Sequence, residues 1–352
     1  MDLLRSVAVL LVFCTHYIDI QFGLGAMGGL LWHLGQLGVL IFFVHTSLVL
    51  MWSLERSSIR EGNLVLPFYV RRAFRIYPLS IICVLFAYFF DARWSPAHLW
   101  PNLTLTQHFF LKDLPGVPPT ITPLWSLPFE MEMYLVLPVL FLLFWNRSFK
   151  LLAAVWGGAV LLAIFQPHLG EAFAIFRYVP CFLGGVIAWR LIRERDHRRF
   201  PGWAWPIAIA ACSLTWLVST EKYLPVAISL FGMSLGLITP LFREIRSRKL
   251  QAVAKIIARY SYGIYLTHFP IMAYIMAGQN PDHPVFRVLP PMPTIHHYGL
   301  PINICLVLLL TSVFSFALYH GIEEPGIRMG RILAQWLADP LREKSPVAAA
   351  TD

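Results

Sequence analysis

Ionisable residues interrupt apolar runs of this chain at spacings that can do chemistry. In "LLRSVAVLLVFCTH", residues 3–16, Arg5 and His16 stand at the two ends of an otherwise apolar segment. At about 100° per residue their separation returns them to nearly one helix face, roughly 16 Å apart along the axis. In "PLWSLPFEMEMYLVLP", Glu130 and Tyr134 share a face at i, i+4, while Glu132 points elsewhere. In "ARYSYGIYLTHFPI", Ser261 and Tyr265 lie on or near the face of His268. If these helices cross a bilayer, His16, Glu130 and His268 are expected at similar depth. Two histidines and a carboxylate at one level can form a base and its orienting group, which remove a proton from an attacking hydroxyl. A snorkelling topology anchor is the plainer alternative for Arg5, and a histidine hydrogen-bonded inside a bundle is the plainer one for His16. Ionisable groups at membrane depth are costly, however, and mark functional sites by default.

A cationic set completes the candidates. "FYVRRAFRIYPL" carries Arg71, Arg72 and Arg75; Arg72 and Arg75 share a face at i, i+3, and guanidinium groups hold phosphates bidentately. Positive charge that fixes topology is the alternative reading. Arg177 in "FRYVPCFLGGV" falls within an apolar run, where it is expected to pair with an acid or line an aqueous cavity.

The elements that must position these residues are membrane spans. Of 352 residues 57% are hydrophobic and only 13% charged, with a mean hydropathy of +0.63, which describes a polytopic membrane protein rather than a soluble domain. Runs long enough to cross about 30 Å of hydrocarbon fall at 3–20, 30–52, 73–91, 128–145, 150–166, 172–191, 203–220, 223–242, 255–277 and 300–322. The expected fold is therefore an all-α bundle of about ten transmembrane helices. Alternate connections hold the basic clusters "RRAFR", "NRSFK", "RLIRERDHRRF", "FREIRSRK" and "RMGR", which places both termini in the cytoplasm. The net charge of +9 is distributed in these clusters and not along one solvated face, so nucleic acid is not an expected partner. Cys14, Cys83, Cys181, Cys212 and Cys305 show neither CxxC nor metal-ligand spacing, so no metal and no disulfide are expected. The first run lacks the small residues of a cleavage site and reads as a retained helix. Two long outward loops, 92–127 and 278–299, are rich in Pro and turn residues and suit the rim of a binding site. Residues 331–352 read as a cytoplasmic tail, partly disordered, ending in "EKSPVAAATD".

Taken in order, these residues resemble the acyltransferase 3 family of integral membrane O-acyltransferases, which modify bacterial glycans and some small molecules. The family's arginine, ten residues, histidine signature matches Arg5 and His16, and its RxxR-I-x-P segment matches Arg72, Arg75, Ile76 and Pro78. Its tryptophan-serine-leucine motif, ending in an acid and a tyrosine, matches Trp125, Ser126, Leu127, Glu130 and Tyr134. "FRYVPCFLGG" is similar to its arginine-aromatic-glycine span through Arg177, Phe182, Gly184 and Gly185. "YSYGIYLTH" matches through Ser261, Tyr262, Gly263, Tyr265, Leu266 and His268, and the last span ends in an acid-proline pair at Glu324 and Pro325. One departure is "FFVHTSLVL", where His45 and Thr46 replace apolar and serine positions; His45 either alters the pocket or bonds a neighbouring carbonyl, and the second is the expected role.

The resemblance implies one transmembrane domain over residues 1–330 in a bacterial inner membrane. It implies no permanently bound cofactor, an acyl-CoA co-substrate, acetyl-CoA foremost, entering from the cytoplasm, and a hydroxyl of a glycan or lipid-linked saccharide as acceptor. His16, Glu130 and His268 are then the catalytic candidates. Arg5, Arg72, Arg75, Trp125, Ser126, Tyr134, Arg177, Ser261 and Tyr265 are the donor- and substrate-binding candidates. With no fused esterase-like domain in view, transfer finishes within the membrane domain or uses a separate periplasmic partner. The rival readings are a transporter or flippase with an intramembrane relay, which predicts repeat symmetry the sequence does not display, and a non-catalytic protein that binds lipid-linked glycan.

Overall fold

In hydrocarbon a backbone must bond itself, and a helix does so within one segment. The apolar runs accordingly fold as α1 (Asp2–Phe22), α2 (Gly28–Arg60), α3 (Val65–Phe90), α5 (Leu127–Phe144), α6 (Phe149–Leu169), α7 (Val179–Glu194), α8 (Trp205–Leu217), α9 (Leu224–Ile238), α10 (Arg248–Ala277) and α11 (Leu300–Leu318). Two further helices join them, α4 (Pro96–Leu103) and α12 (Glu324–Ala338). The computed structural model describes residues 1–22, 28–60, 64–91, 94–110, 119–194, 200–217, 219–220, 223–277 and 300–338. Residues 278–299, expected as an outward loop, and residues 339–352 lie outside them. Among the described residues no β-strand occurs; Phe200 and Phe242 form an isolated bridge.

Eight helical stretches among the described residues are long and apolar enough to cross a membrane. The other two of the ten expected spans differ for separate reasons. Helix α8 has 13 residues, about 20 Å at the usual rise and short of a full crossing. Helix α10 is long enough, but Ser261, Tyr262, Tyr265, Thr267 and His268 lower its hydropathy, and these include the residues singled out for chemistry.

Close packing fixes the bundle. Helix α1 lies against α2 and α10, and α7 lies against α2 and α9. The α7–α9 contact is possible only without side chains, since a Cβ on Gly232 would come within 2.5 Å of the Cys181 backbone. The one substantial departure from expectation is at the carboxyl end. Residues 324–338 are helical, so the expected tail 331–352 begins with two further turns of ordered helix. Gly326, Gly330, Ala334 and Ala338 form a stripe of small buried residues that lets α12 lie close along α3. A stripe at every fourth residue without bulky apolar partners leaves little trace in a hydropathy profile, which is why the run reads as a tail.

This contact carries a prediction. A Cβ on Gly330 would stand 2.6 Å from Phe74 Cβ, so Gly330→Leu must push α12 off α3 at a cost of about 1–3 kcal/mol. Ile332→Ala, at an exposed position on the same helix, changes stability by under about 0.5 kcal/mol. Thermal unfolding in detergent should show a lowered midpoint for the first substitution and none for the second; equal midpoints would mean the contact is loose.

Candidate active site

Three guanidinium groups converge inside the bundle. Arg5 of α1 and Arg72 and Arg75 of α3 line one cavity of about 80 Å³, together with His45 of α2, Ser126, Glu130 and Tyr134 at and after the entry to α5, and Ser261 and Tyr265 of α10. Each cation is held differently. Arg5 Nε donates to Ser261 Oγ at 2.6 Å. Arg75 Nη1 lies 3.0 Å from Glu323 Oε1, whose side chain is fully buried. Arg72 lies 5.9 Å from the Phe68 ring centroid, and its buried Nε has no hydrogen-bond partner; among the described residues it makes no ion pair, although the Glu130 carboxylate lines the same cavity. Glu130 accepts a short hydrogen bond from the Tyr134 hydroxyl. Tyr262 donates to the Ile76 carbonyl at 2.8 Å and so ties α10 to the arginine turn of α3.

Glu323 is the residue that reading the sequence missed. The acid-proline motif pointed to Glu324, yet Glu324 faces outward, bonded to His320 at 3.0 Å and Arg328 at 2.8 Å. A π-turn over Tyr319–Glu323 inserts the extra residue that rotates Glu323 inward. The 3.6-residue period therefore gives the wrong face here. His45 differs from expectation too. It is buried and lines the cavity, and among the described residues it makes no hydrogen bond to a carbonyl.

The two histidines meet at a second level. His16 Nδ1 is 2.9 Å from His268 Nε2, and His268 Nδ1 is 2.9 Å from the Ile264 carbonyl. A carbonyl only accepts, so His268 Nδ1 carries its proton and His268 Nε2 is the acceptor. His16 Nδ1 must then donate, which leaves an unprotonated lone pair on His16 Nε2. The ring edge of Phe269 against His16, with centroids 5.2 Å apart, holds the imidazole from one side. A neutral imidazole with its tautomer fixed in this way is suited to accept a proton.

Tyr265 joins the two levels. Its hydroxyl is 2.8 Å from Ser126 Oγ at the cavity wall, and its ring centroid is 6.2 Å from that of His268. Three expected placements need correction. Glu130 lies with the arginines and not beside His16, because a 3-10 segment, Pro119–Ser126, packs against α10 before α5 begins. The span thus starts near Ile121, and Glu130 lies more than two turns inside it. Trp125 does not line the cavity; it packs on Phe129 and Tyr178. Arg177 lies in the 3-10 turn before α7, bonded twice to Gln166 Oε1 at 3.1 and 2.8 Å and 3.8 Å from Glu171, and does not line the cavity. Its expected acidic partner is present, but it is not part of this site. Glu132 does point elsewhere, 2.8 Å from His108 in the outward loop.

These features define a polytopic membrane protein whose interior combines a cationic cavity with a pair of hydrogen-bonded imidazoles. The chain belongs to the acyltransferase domain family, whose model matches residues 1–320. It is 27% identical over 324 residues to "Acyltransferase MdmB" of Streptomyces mycarofaciens, an alignment covering 78% of this chain and 80% of that protein. No solved structure matches it to a significant degree. The protein is thus a membrane-embedded acyltransferase that moves groups other than aminoacyl groups.

The unequal roles of the two adjacent acids can be measured. Glu323→Leu leaves the half-buried Arg75 without its carboxylate and is expected to cost up to about 3–5 kcal/mol. Glu324→Leu removes only exposed pairs and should leave the unfolding midpoint within error. A milder effect at position 323 than at 324 would contradict the inward rotation.

Proposed function

We propose that the enzyme transfers an acyl group, acetyl foremost, from acyl-CoA to a hydroxyl of a glycan or glycosylated acceptor, with His16 as general base. The observation that carries this reading is the free lone pair on His16 Nε2, reached through His268 and the Ile264 carbonyl. The arginine cavity supports the donor half. Three guanidinium groups face only the carboxylates of Glu130 and Glu323 nearby, so the cavity favours an anion, and Arg72 is the cation available to a CoA phosphate. The basic connections put that end of the bundle in the cytoplasm, where acyl-CoA is made.

The roles follow from position. Arg72 holds phosphate, while Arg75, fixed by Glu323, and Arg5, fixed by Ser261, flank the path of the pantetheine arm. The thioester is delivered past Tyr265 to His16. There the acceptor hydroxyl attacks the thioester carbonyl as His16 Nε2 takes its proton. The tetrahedral intermediate collapses to the new ester, and the thiol of CoA leaves with a proton returned from His16. His268 orients the base and stabilises the imidazolium through its own Nε2. Multi-pass insertion in a bacterial inner membrane, an acceptor presented from the opposite face, and a separate periplasmic partner where the acceptor must be carried away, belong to the same proposal.

The tests separate base from donor site. His16→Ala is expected to lower transfer by about a hundred-fold or more while leaving the unfolding midpoint near wild type; well-folded protein keeping over a tenth of its rate would remove His16 from the mechanism. Arg72→Gln should raise the apparent KM for acyl-CoA with little change in KM for the acceptor. Inside-out vesicles given external acyl-CoA should acylate an acceptor in the lumen, and right-side-out vesicles should not. Equal transfer in both orientations, with leak excluded, would place donor and acceptor on one face.

A further inference from the structure

Helix α1 has two working faces. Arg5 and His16 occupy one, and Leu3, Val7 and Leu11 occupy the opposite one. That second face is a wall of a separate apolar cleft of about 880 Å³, against about 80 Å³ for the arginine cavity. Its other walls include Leu34 of α2 and Ile209 and Leu214 of α8. The cleft exists because the short α8 packs on α9 and α2 and does not reach across to close off α1 and α10.

Size, depth and charge identify what fits. The volume is at the upper end of the ~300–1,000 Å³ of small-molecule pockets, and the lining is mostly apolar. Along α1 the lining runs from Met1 to Leu11, about 15 Å, or half of a hydrocarbon layer of about 30 Å. It therefore spans one leaflet. Such a void is not left empty in a bundle packed at organic-crystal density, and water finds few partners on leucine walls. One end alone is charged, and it carries both signs: Arg243 and Lys255 beside Asp2 and Glu244. Cations of this kind match a phosphate, and the carboxylates match an ammonium.

We propose that this cleft binds one diacyl phospholipid with an ethanolamine-type headgroup, its chains against the leucine face of α1 and its phosphate at Arg243 and Lys255. The lipid then backs the helix whose other face carries Arg5 and His16. The site is independent of which acyl group or acceptor the enzyme uses.

Native mass spectrometry of the full-length protein, released from mild detergent containing ethanolamine and glycerol phospholipids in equal amounts, tests this. The expected result is one phospholipid per chain, of the ethanolamine type, retained through further detergent washes. Ala210→Trp with Leu214→Trp, which fills the cleft from α8, should abolish retention. Arg243→Gln with Lys255→Gln should weaken it about tenfold, the loss of a charge-assisted contact. The glutamine pair alters only the rim, so it keeps the test decisive if the tryptophans disturb folding. Any of three results would overturn the proposal: no lipid retained, retention unchanged in both double variants, or a single-chain fatty acid, polyprenyl phosphate or glycerol phospholipid as the retained molecule.

Discussion

A guanidinium group in hydrocarbon must be met by an acid, by neutral acceptors or by a ligand, because nothing in the lipid replaces its water. Three of them at one level of this bundle set the terms for everything nearby. Ser261 is on α10 because Arg5 needs an acceptor. The π-turn after α11 turns Glu323 inward to Arg75. Helix α12 continues that turn down the side of α3 and holds the arginine helix in place through its stripe of small residues. Among the described residues Arg5 and Arg72 both lack a paired carboxylate, and Arg5 has the Ser261 hydroxyl where the Arg72 Nε has no hydrogen-bond partner, which makes Arg72 the part of the site left for a ligand.

Helices α1 and α10 carry both levels, so their mutual alignment sets the distance from the arginines to the histidine pair. Two bonds pin it, Arg5 to Ser261 and His16 to His268, eleven and seven residues along the respective helices. A bond from Ser6 Oγ to the Ala254 carbonyl, 2.8 Å, adds a third near the basic end. Because α1 is one uninterrupted helix between these points, a shift at one level is transmitted to the other.

Much of this was legible before any coordinates. Hydropathy located a helix in each of the ten apolar runs, α8 proving too short to cross, and helical periodicity put Arg5 with His16 and Ser261 with Tyr265, because both signals depend only on regular backbone. What escaped was where the backbone is irregular. The 3-10 segment before α5 moved Glu130 from the histidine level to the arginine level, and the π-turn exchanged Glu323 for Glu324. Arg177 was misplaced for a similar reason: a 3-10 turn, and not the span itself, carries it. Small residues were the third blind spot, since the packing of α12 rests on the absence of side chains. For His45 the sequence leaves a pocket role and a local bond as alternatives, and the three-dimensional placement of its ring at the cavity favours the first.

The pairing of Arg75 with Glu323 also bears on how the molecule is made. Arg75 is in the third helix to leave the ribosome and Glu323 comes at the end of the last long one, so the cation enters the bilayer well before its carboxylate exists. Until then Arg75 must be accommodated by snorkelling to the interface or by water drawn in with it. The arginine level is therefore completed only when the final helices dock, and a nascent chain cut short before residue 323 cannot hold the cavity in its finished form. Assembly of the site is in this way a late checkpoint on synthesis, built into the order of the sequence itself.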